Sequence, residues 1–234
     1  MLETFPTDDT SVIQSSRNES AVQRGAEMTM HEMESARTSP VPQLGAGETR
    51  IILIRHAETE WSKAGRHTGR SDIPLDGDGR AGAVELRSRL SGLEPACVLT
   101  SPLQRARMTC ELAGFGAGAI TDEDLMEWDY GRYEGLTTAD IRVERPGWNP
   151  FLHGCPQGES ARDVGRRADR VIARLIGFGG QPVVVFSHAH LLRVLAARWI
   201  GQAAEEGRHL VLGTRSVSSL GFEREERAIT SWNT

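Results

Sequence analysis

Cysteine is scarce in this chain and poorly placed for cross-linking. The three residues, Cys97, Cys110 and Cys155, are odd in number and scattered. That excludes a disulfide framework and a zinc-type ligand spacing, and points to a reducing, cytoplasmic setting. Long apolar runs are missing too. No segment approaches the ~20 residues that a membrane-spanning helix requires, and the first residues lack the basic-then-apolar order of a secretory signal, so a soluble protein is expected. Positive charge is not in excess. A formal net charge of −5 gives no general attraction to nucleic acid or to an anionic membrane, so any anion site must be assembled locally. What is present, 38% hydrophobic and 25% charged residues in a chain of 234, suffices for one α/β domain with additions.

Residues 1–48 are rich in Ser, Thr, Glu and Gln, with Pro40, Pro42, Gly45 and Gly47 near the junction and no sustained apolar period. A disordered extension is expected there, with the folded domain over residues 49–234. Met28, Met30 and Met33 leave a later translation start open.

The domain is organised around Ile51-Ile52-Leu53-Ile54, a short buried strand by its apolar, β-branched content, which stops at Arg55-His56. The design recurs at Val183-Val184-Val185-Phe186, which runs into Ser187-His188-Ala189-His190 ahead of an apolar helix expected over residues 191–200. In open α/β sheets ligands bind outside the carboxyl ends of strands, so both histidines stand where chemistry is expected.

Between and beyond these strands the pattern predicts a polar loop over 59–78, a helix over 79–90, and strands at 97–100 and 120–121. Ser101-Pro102 reads as an N-cap and first-turn proline opening a helix to about Ala113, with Arg105 one turn inside. Free N–H groups there, with the Arg105 guanidinium, would suit a phosphate or carboxylate; taken singly, Arg105 reads equally as a surface arginine. Residues 125–135 mix carboxylates, aromatics and glycines in the manner of an ordered functional loop, although Glu127 alone reads as a solvated carboxylate. A short helix over 137–145 and a loop over 150–158 follow; His153 and Cys155 in that loop are expected to be structural or superficial. In a helix over 160–176, Val164, Ala168, Val171, Ile172 and Leu175 form the buried side and Arg162, Arg166, Arg167 and Arg170 the solvated one. Residues 217–222 and 228–231 are expected as edge strands.

If the two histidine-bearing strands are neighbours, His56 and His188 share a pocket with Arg55 and Arg105. Two imidazoles and two permanent cations call for a dianionic group, and phosphate matches the guanidinium fork better than a carboxylate does. An imidazole can also attack phosphorus.

Arg55-His56-Ala57-Glu58-Thr59, Gly69-Arg70-Ser71-Asp72-Ile73-Pro74-Leu75, Ser101-Pro102-Leu103-Gln104-Arg105-Ala106 and Ser187-His188, occurring in this order, resemble the signatures of the histidine phosphatase (phosphoglycerate mutase-like) superfamily from about Ile51 onward. Further stretches, among them Glu127-Trp128-Asp129-Tyr130-Gly131-Arg132 and Trp148, are similar to actinobacterial acid phosphatases and the sedoheptulose-1,7-bisphosphatase group. The resemblance implies a single three-layer α/β domain, its mostly parallel central sheet flanked by helices. It implies that His56 becomes phosphohistidine, that Arg55, Arg105 and His188 hold the phosphoryl oxygens, and that Glu127 protonates the leaving group and then activates water. Ser62, Thr68, Gly69, Tyr130 and His190 fall at substrate-side positions. No cofactor and no metal is implied, because arginines supply the charge; the partner implied is a small phosphate ester, and a homo-oligomer is left open.

Two departures stand out. Ala57 and Ala189 replace glycines common in the family, which requires ordinary backbone angles there. Thr138 occupies the place where mutase members carry a lysine that grips phosphoglycerate. A phosphomonoesterase is therefore the leading expectation, ahead of a phosphoglycerate mutase or a non-catalytic phospholigand-binding module.

Overall fold

The computed structural model describes residues 50–234, so the extension expected over 1–48 lies outside the described residues. A six-stranded sheet runs in the order β3-β2-β4-β1-β5-β6, formed by β1 (Ile51–Arg55), β2 (Cys97–Thr100), β3 (Ile120–Thr121), β4 (Val183–Ser187), β5 (Val217–Glu223) and β6 (Glu226–Ser231). β1 and β4 pair in parallel with Ile51 opposite Val183 and Arg55 opposite Ser187, and β2 lies parallel to β4 on its other side. β5 is antiparallel to β1 and β6 antiparallel to β5. Only β6 is thus an edge at that end; β5 was expected as an edge strand but is internal, and its run Val217 to Leu220 is buried accordingly.

The uninterrupted apolar runs of β1 and β4 follow from burial on both faces. Ile51, Leu53, Val183 and Val185 face one core with Val164, Val171 and Leu191. Ile52, Ile54, Val184 and Phe186 face the other with Leu86, Leu90 and Cys110. Each such side chain taken from water contributes about 1.5–3 kcal/mol. The first core is roofed by α6 (Ala161–Ile176) and α7 (Ala189–Trp199), the second by α2 (Gly77–Arg89) and α3 (Gln104–Leu112), which makes three layers.

Local chemistry sets the helix boundaries. Thr59, Thr137 and Ser160 form capping boxes for α1 (Glu60–Lys63), α4 (Thr138–Glu144) and α6, and Asp76 caps α2 two residues earlier than expected. The segment 150–158, expected as a loop, begins with the one-turn α5 (Pro150–His153), because Asn149 caps it and Pro150 suits the first helical position. α3 starts at Gln104 rather than behind Ser101-Pro102, for a reason that lies in the site. Among the described residues no helix is long and apolar enough to cross a membrane.

Candidate active site

The pairing of β1 with β4 brings the two strand-end histidines together, with ring centroids 5.2 Å apart. His56 is almost fully buried, and its Nδ1 lies 2.7 Å from the Ala57 carbonyl oxygen. A carbonyl only accepts, so Nδ1 carries the proton and the Nε2 lone pair is left available. His188 is completely buried. Its Nδ1 accepts from Arg105 Nε at 3.2 Å and its Nε2 lies 2.8 Å from Ser101 Oγ. Since guanidinium only donates, the neutral ring places its proton on Nε2 and Ser101 accepts it. Burial above all, then Arg105, holds both histidines well below the ordinary 6.5, with Arg55 adding to the effect. Both rings are therefore neutral at physiological pH.

Two guanidinium groups flank them, and among the described residues neither makes a salt bridge. Arg55 donates through Nη1 to the Leu212 carbonyl at 2.6 Å, while its buried Nε has no hydrogen-bond partner. Arg105, completely buried, donates to the carbonyl oxygens of Ser71, Thr68 and Gly69 at 2.9, 3.0 and 2.9 Å. It clamps the 68–71 loop and His188 at once. Glu127 is the carboxylate whose charge acts most strongly on each guanidinium.

The expected free helix N-terminus is corrected by this arrangement. Ser101 Oγ serves His188 and accepts a bond of 3.3 Å from Leu103 N–H, so it is not available to cap. The Gln104 N–H that opens α3 is already taken by Asp72 Oδ1 at 2.7 Å.

Glu127 is 4% exposed, not the solvated carboxylate that its sequence position taken alone suggests. Its Oε1 accepts from Trp128 N–H at 2.9 Å and Leu191 N–H at 3.0 Å, and its Oε2 from His190 N–H at 3.1 Å. Two of these donors are orphan amides in the first turn of α7, where a negative charge is welcome. His190 Nδ1 lies 3.9 Å from Oε2 and 2.6 Å from Tyr130 Oη. Burial raises the Tyr130 phenol well above 10 and lowers His190 well below 6.5; the phenol therefore donates to a neutral imidazole.

The remaining expected residues divide. Thr68 and Gly69 join the site through their main chain, by way of Arg105. The Gly69 N–H donates to Glu134 Oε1 at 2.8 Å, and a Cβ at Gly69 would collide with the Trp128 carbonyl and stand 2.7 Å from Glu134 Oε2, so only glycine fits. Ser62 is different. Its hydroxyl accepts from Thr59 N–H at 2.9 Å and donates to Thr59 O at 3.0 Å, which commits it to capping α1. Ala57 and Ala189 have no left-handed φ, so the ordinary backbone angles that alanine requires are met.

Sequence reasoning missed two side chains. The His67 ring lies tilted 4.7 Å from that of Tyr130 and edge-on 5.2 Å from that of Trp148, with Nε2 3.1 Å from Thr138 Oγ1, and burial brings its pKa down to about 4. Its adjacency to Thr68-Gly69 was the available signal. Arg167, expected to be solvated, is 8% exposed and turned towards the Glu127 segment. Its spacing from Val164 and Val171 places it on the apolar stripe of α6. Among the described residues no group of three or more His, Cys, Asp or Glu side chains is arranged to hold a metal ion.

This geometry defines an α/β protein that can gather an oxyanion at the carboxyl ends of two adjacent parallel strands. The family model for the histidine phosphatase superfamily (branch 1) matches residues 51–234, and the chain belongs to that superfamily. It is 40% identical over 190 residues to an acid phosphatase of Mycobacterium tuberculosis, across 80% of this chain and 93% of the relative. It is 34% identical over 202 residues to a sedoheptulose 1,7-bisphosphatase of Saccharomyces cerevisiae, across 73% and 74%. The solved structure of an open reading frame from Mycobacterium tuberculosis matches with a TM-score of 0.75 at 38% identity, across 79% of this chain and 96% of that one. These likenesses support a phosphatase.

Proposed function

We propose that the protein is a phosphomonoesterase that hydrolyses a small phosphorylated metabolite through a phosphohistidine on His56. The observation that carries this reading is the proton on His56 Nδ1, fixed by the Ala57 carbonyl, which leaves Nε2 as a nucleophile beside His188 and the unpartnered Arg55 Nε. Nε2 attacks phosphorus as the P–O bond to the leaving group breaks, and Glu127, which takes up a proton from solvent as the phosphate dianion enters beside it, gives that proton to the departing alkoxide. Water then attacks the phosphoenzyme, Glu127 takes the proton back, the N–P bond breaks and phosphate leaves. Arg55 and Arg105 meet the charge that develops on the equatorial oxygens, with no metal assigned to that task. Tyr130, His190 and the main chain at Thr68 and Gly69 border the leaving group. The setting proposed is the cytoplasm.

The test is chemical trapping of the intermediate. The native enzyme, quenched during turnover of a labelled phosphate ester, should hold acid-labile, base-stable phosphate on His56, and the His56→Ala variant should show neither label nor turnover. Full activity in His56→Ala would falsify the proposal.

A further inference from the structure

Glu127 is held at its carboxylate by α7, and its main chain is held by a second device outside the histidine pair. Arg167, on α6, donates through Nη1 to the carbonyl oxygens of Asp124 and Met126 at 2.8 and 2.9 Å, and through Nη2 to that of Glu127 at 3.4 Å. The same guanidinium closes on Glu159, with Nε to Oε1 at 2.7 Å and Nη2 to Oε2 at 2.8 Å. Glu159 grips the segment from its other end. Its Oε2 accepts from Asp129 N–H, its N–H donates to the Asp129 carbonyl, and its own carbonyl accepts from Trp128 Nε1–H, all at 2.9 Å. Ser187 Oγ takes the Leu125 carbonyl at 2.7 Å. Every carbonyl from 124 to 127 is therefore held from outside the segment, three of them by one side chain.

A buried ion pair is a poor way to gain stability, because desolvation offsets most of the attraction. It is a good way to fix geometry, since the planar guanidinium fork dictates direction where an ammonium supplies only charge. We infer that Glu159 and Arg167 are positioning residues, acting on the reaction through Glu127 by fixing where its main chain, and hence its carboxylate, stands. The inference rests on the acid role proposed for Glu127.

A double-mutant cycle separates the two claims. The quantity is kcat/KM, which reports the step that expels the leaving group, measured on an alkyl phosphate and an aryl phosphate. Glu127→Gln should lower the alkyl value about 100-fold and the aryl value far less, because a phenolate needs little protonation. Arg167→Lys should follow the same pattern with a loss of roughly tenfold or more on the alkyl ester. In the Glu127→Gln background it should cost nothing further. Equal losses on both esters, or losses that multiply in the double variant, would make Arg167 merely structural and overturn the inference while leaving Glu127 as the acid. A Glu127→Gln enzyme without leaving-group dependence would remove the acid role and the inference together. Should Arg167→Lys fail to fold, Glu159→Gln, which keeps shape and one acceptor, is carried through the same cycle with the same expectations.

Discussion

The main-chain N–H of His56 donates to the carbonyl oxygen of Ser187 at 2.9 Å, one step beyond the last paired residues of β1 and β4, Arg55 and Ser187. That bond extends the parallel ladder by one rung past the strand ends. It places the residue after each strand, His56 on one and His188 on the other, against its counterpart.

Ser187 has a second duty, which yields a prediction. Its buried hydroxyl donates to the Leu125 carbonyl at 2.7 Å, tying the end of β4 to the segment that carries Glu127. Ser187→Ala leaves that carbonyl unpaired among apolar neighbours, and the expected loss is about 1–3 kcal/mol of unfolding free energy. Urea denaturation monitored by tryptophan fluorescence measures it; an unchanged midpoint would show that the Leu125 carbonyl has found another donor.

Acid should destabilise the protein early. His67 titrates at about 4 in the folded chain against 6.5 ordinarily, and His56, His188 and His190 are lowered as well. Below 6.5 the unfolded chain takes up protons that the folded chain refuses, so stability falls as pH falls, by about 3 kcal/mol between 6.5 and 4 for His67 alone. The lowered carboxylates Asp76, Asp124, Asp140 and Asp163 lose their contributions only below their ordinary 3.8, outside this window. Denaturation midpoints between pH 7 and 4.5 should therefore drop steeply for the native protein and less steeply for His67→Gln. Identical slopes would mean that His67 protonates freely in the folded state.

What the sequence disclosed and what it hid divide on physical lines. The strands of β1 and β4 were legible because full burial leaves an unbroken apolar run, and the histidines because each follows such a run directly. Ser101 misled because a hydroxyl before a proline resembles a cap, whereas here a histidine 87 residues away claims it. Ser62 is read from a family position alone, and its hydroxyl also completes the local capping box with Thr59. Arg167 carries the charge of a surface residue yet stands on the apolar stripe of α6, and residue type alone does not mark Glu159 as its partner. The role of the Leu212 carbonyl, which holds Arg55, leaves no trace in residue type, since any residue offers a carbonyl.

Thr138 bears on which phosphate ester the pocket accepts. It opens α4 with its hydroxyl 3.1 Å from His67 Nε2, and the rings around His67 are those of Tyr130, Trp148 and His190. His67 itself is neutral above about pH 4. The nearest guanidinium on that side, Arg66, is exposed and donates to the Gly135 carbonyl, so a lysine at 138 would add a cation beside the His67 ring. Thr138→Lys restores the cation that the family resemblance assigns to mutases. It should lower KM for 3-phosphoglycerate about tenfold, as one charge-assisted hydrogen bond of ~1.4 kcal/mol would, with KM for glycerol phosphate unchanged and free phosphate still the product. High salt should erase most of the gain if the new contact is solvent-exposed. If KM for both esters stays the same, the leaving group does not approach residue 138; if 3-phosphoglycerate is isomerised without release of phosphate, the lysine alone separates mutase from phosphatase on this scaffold.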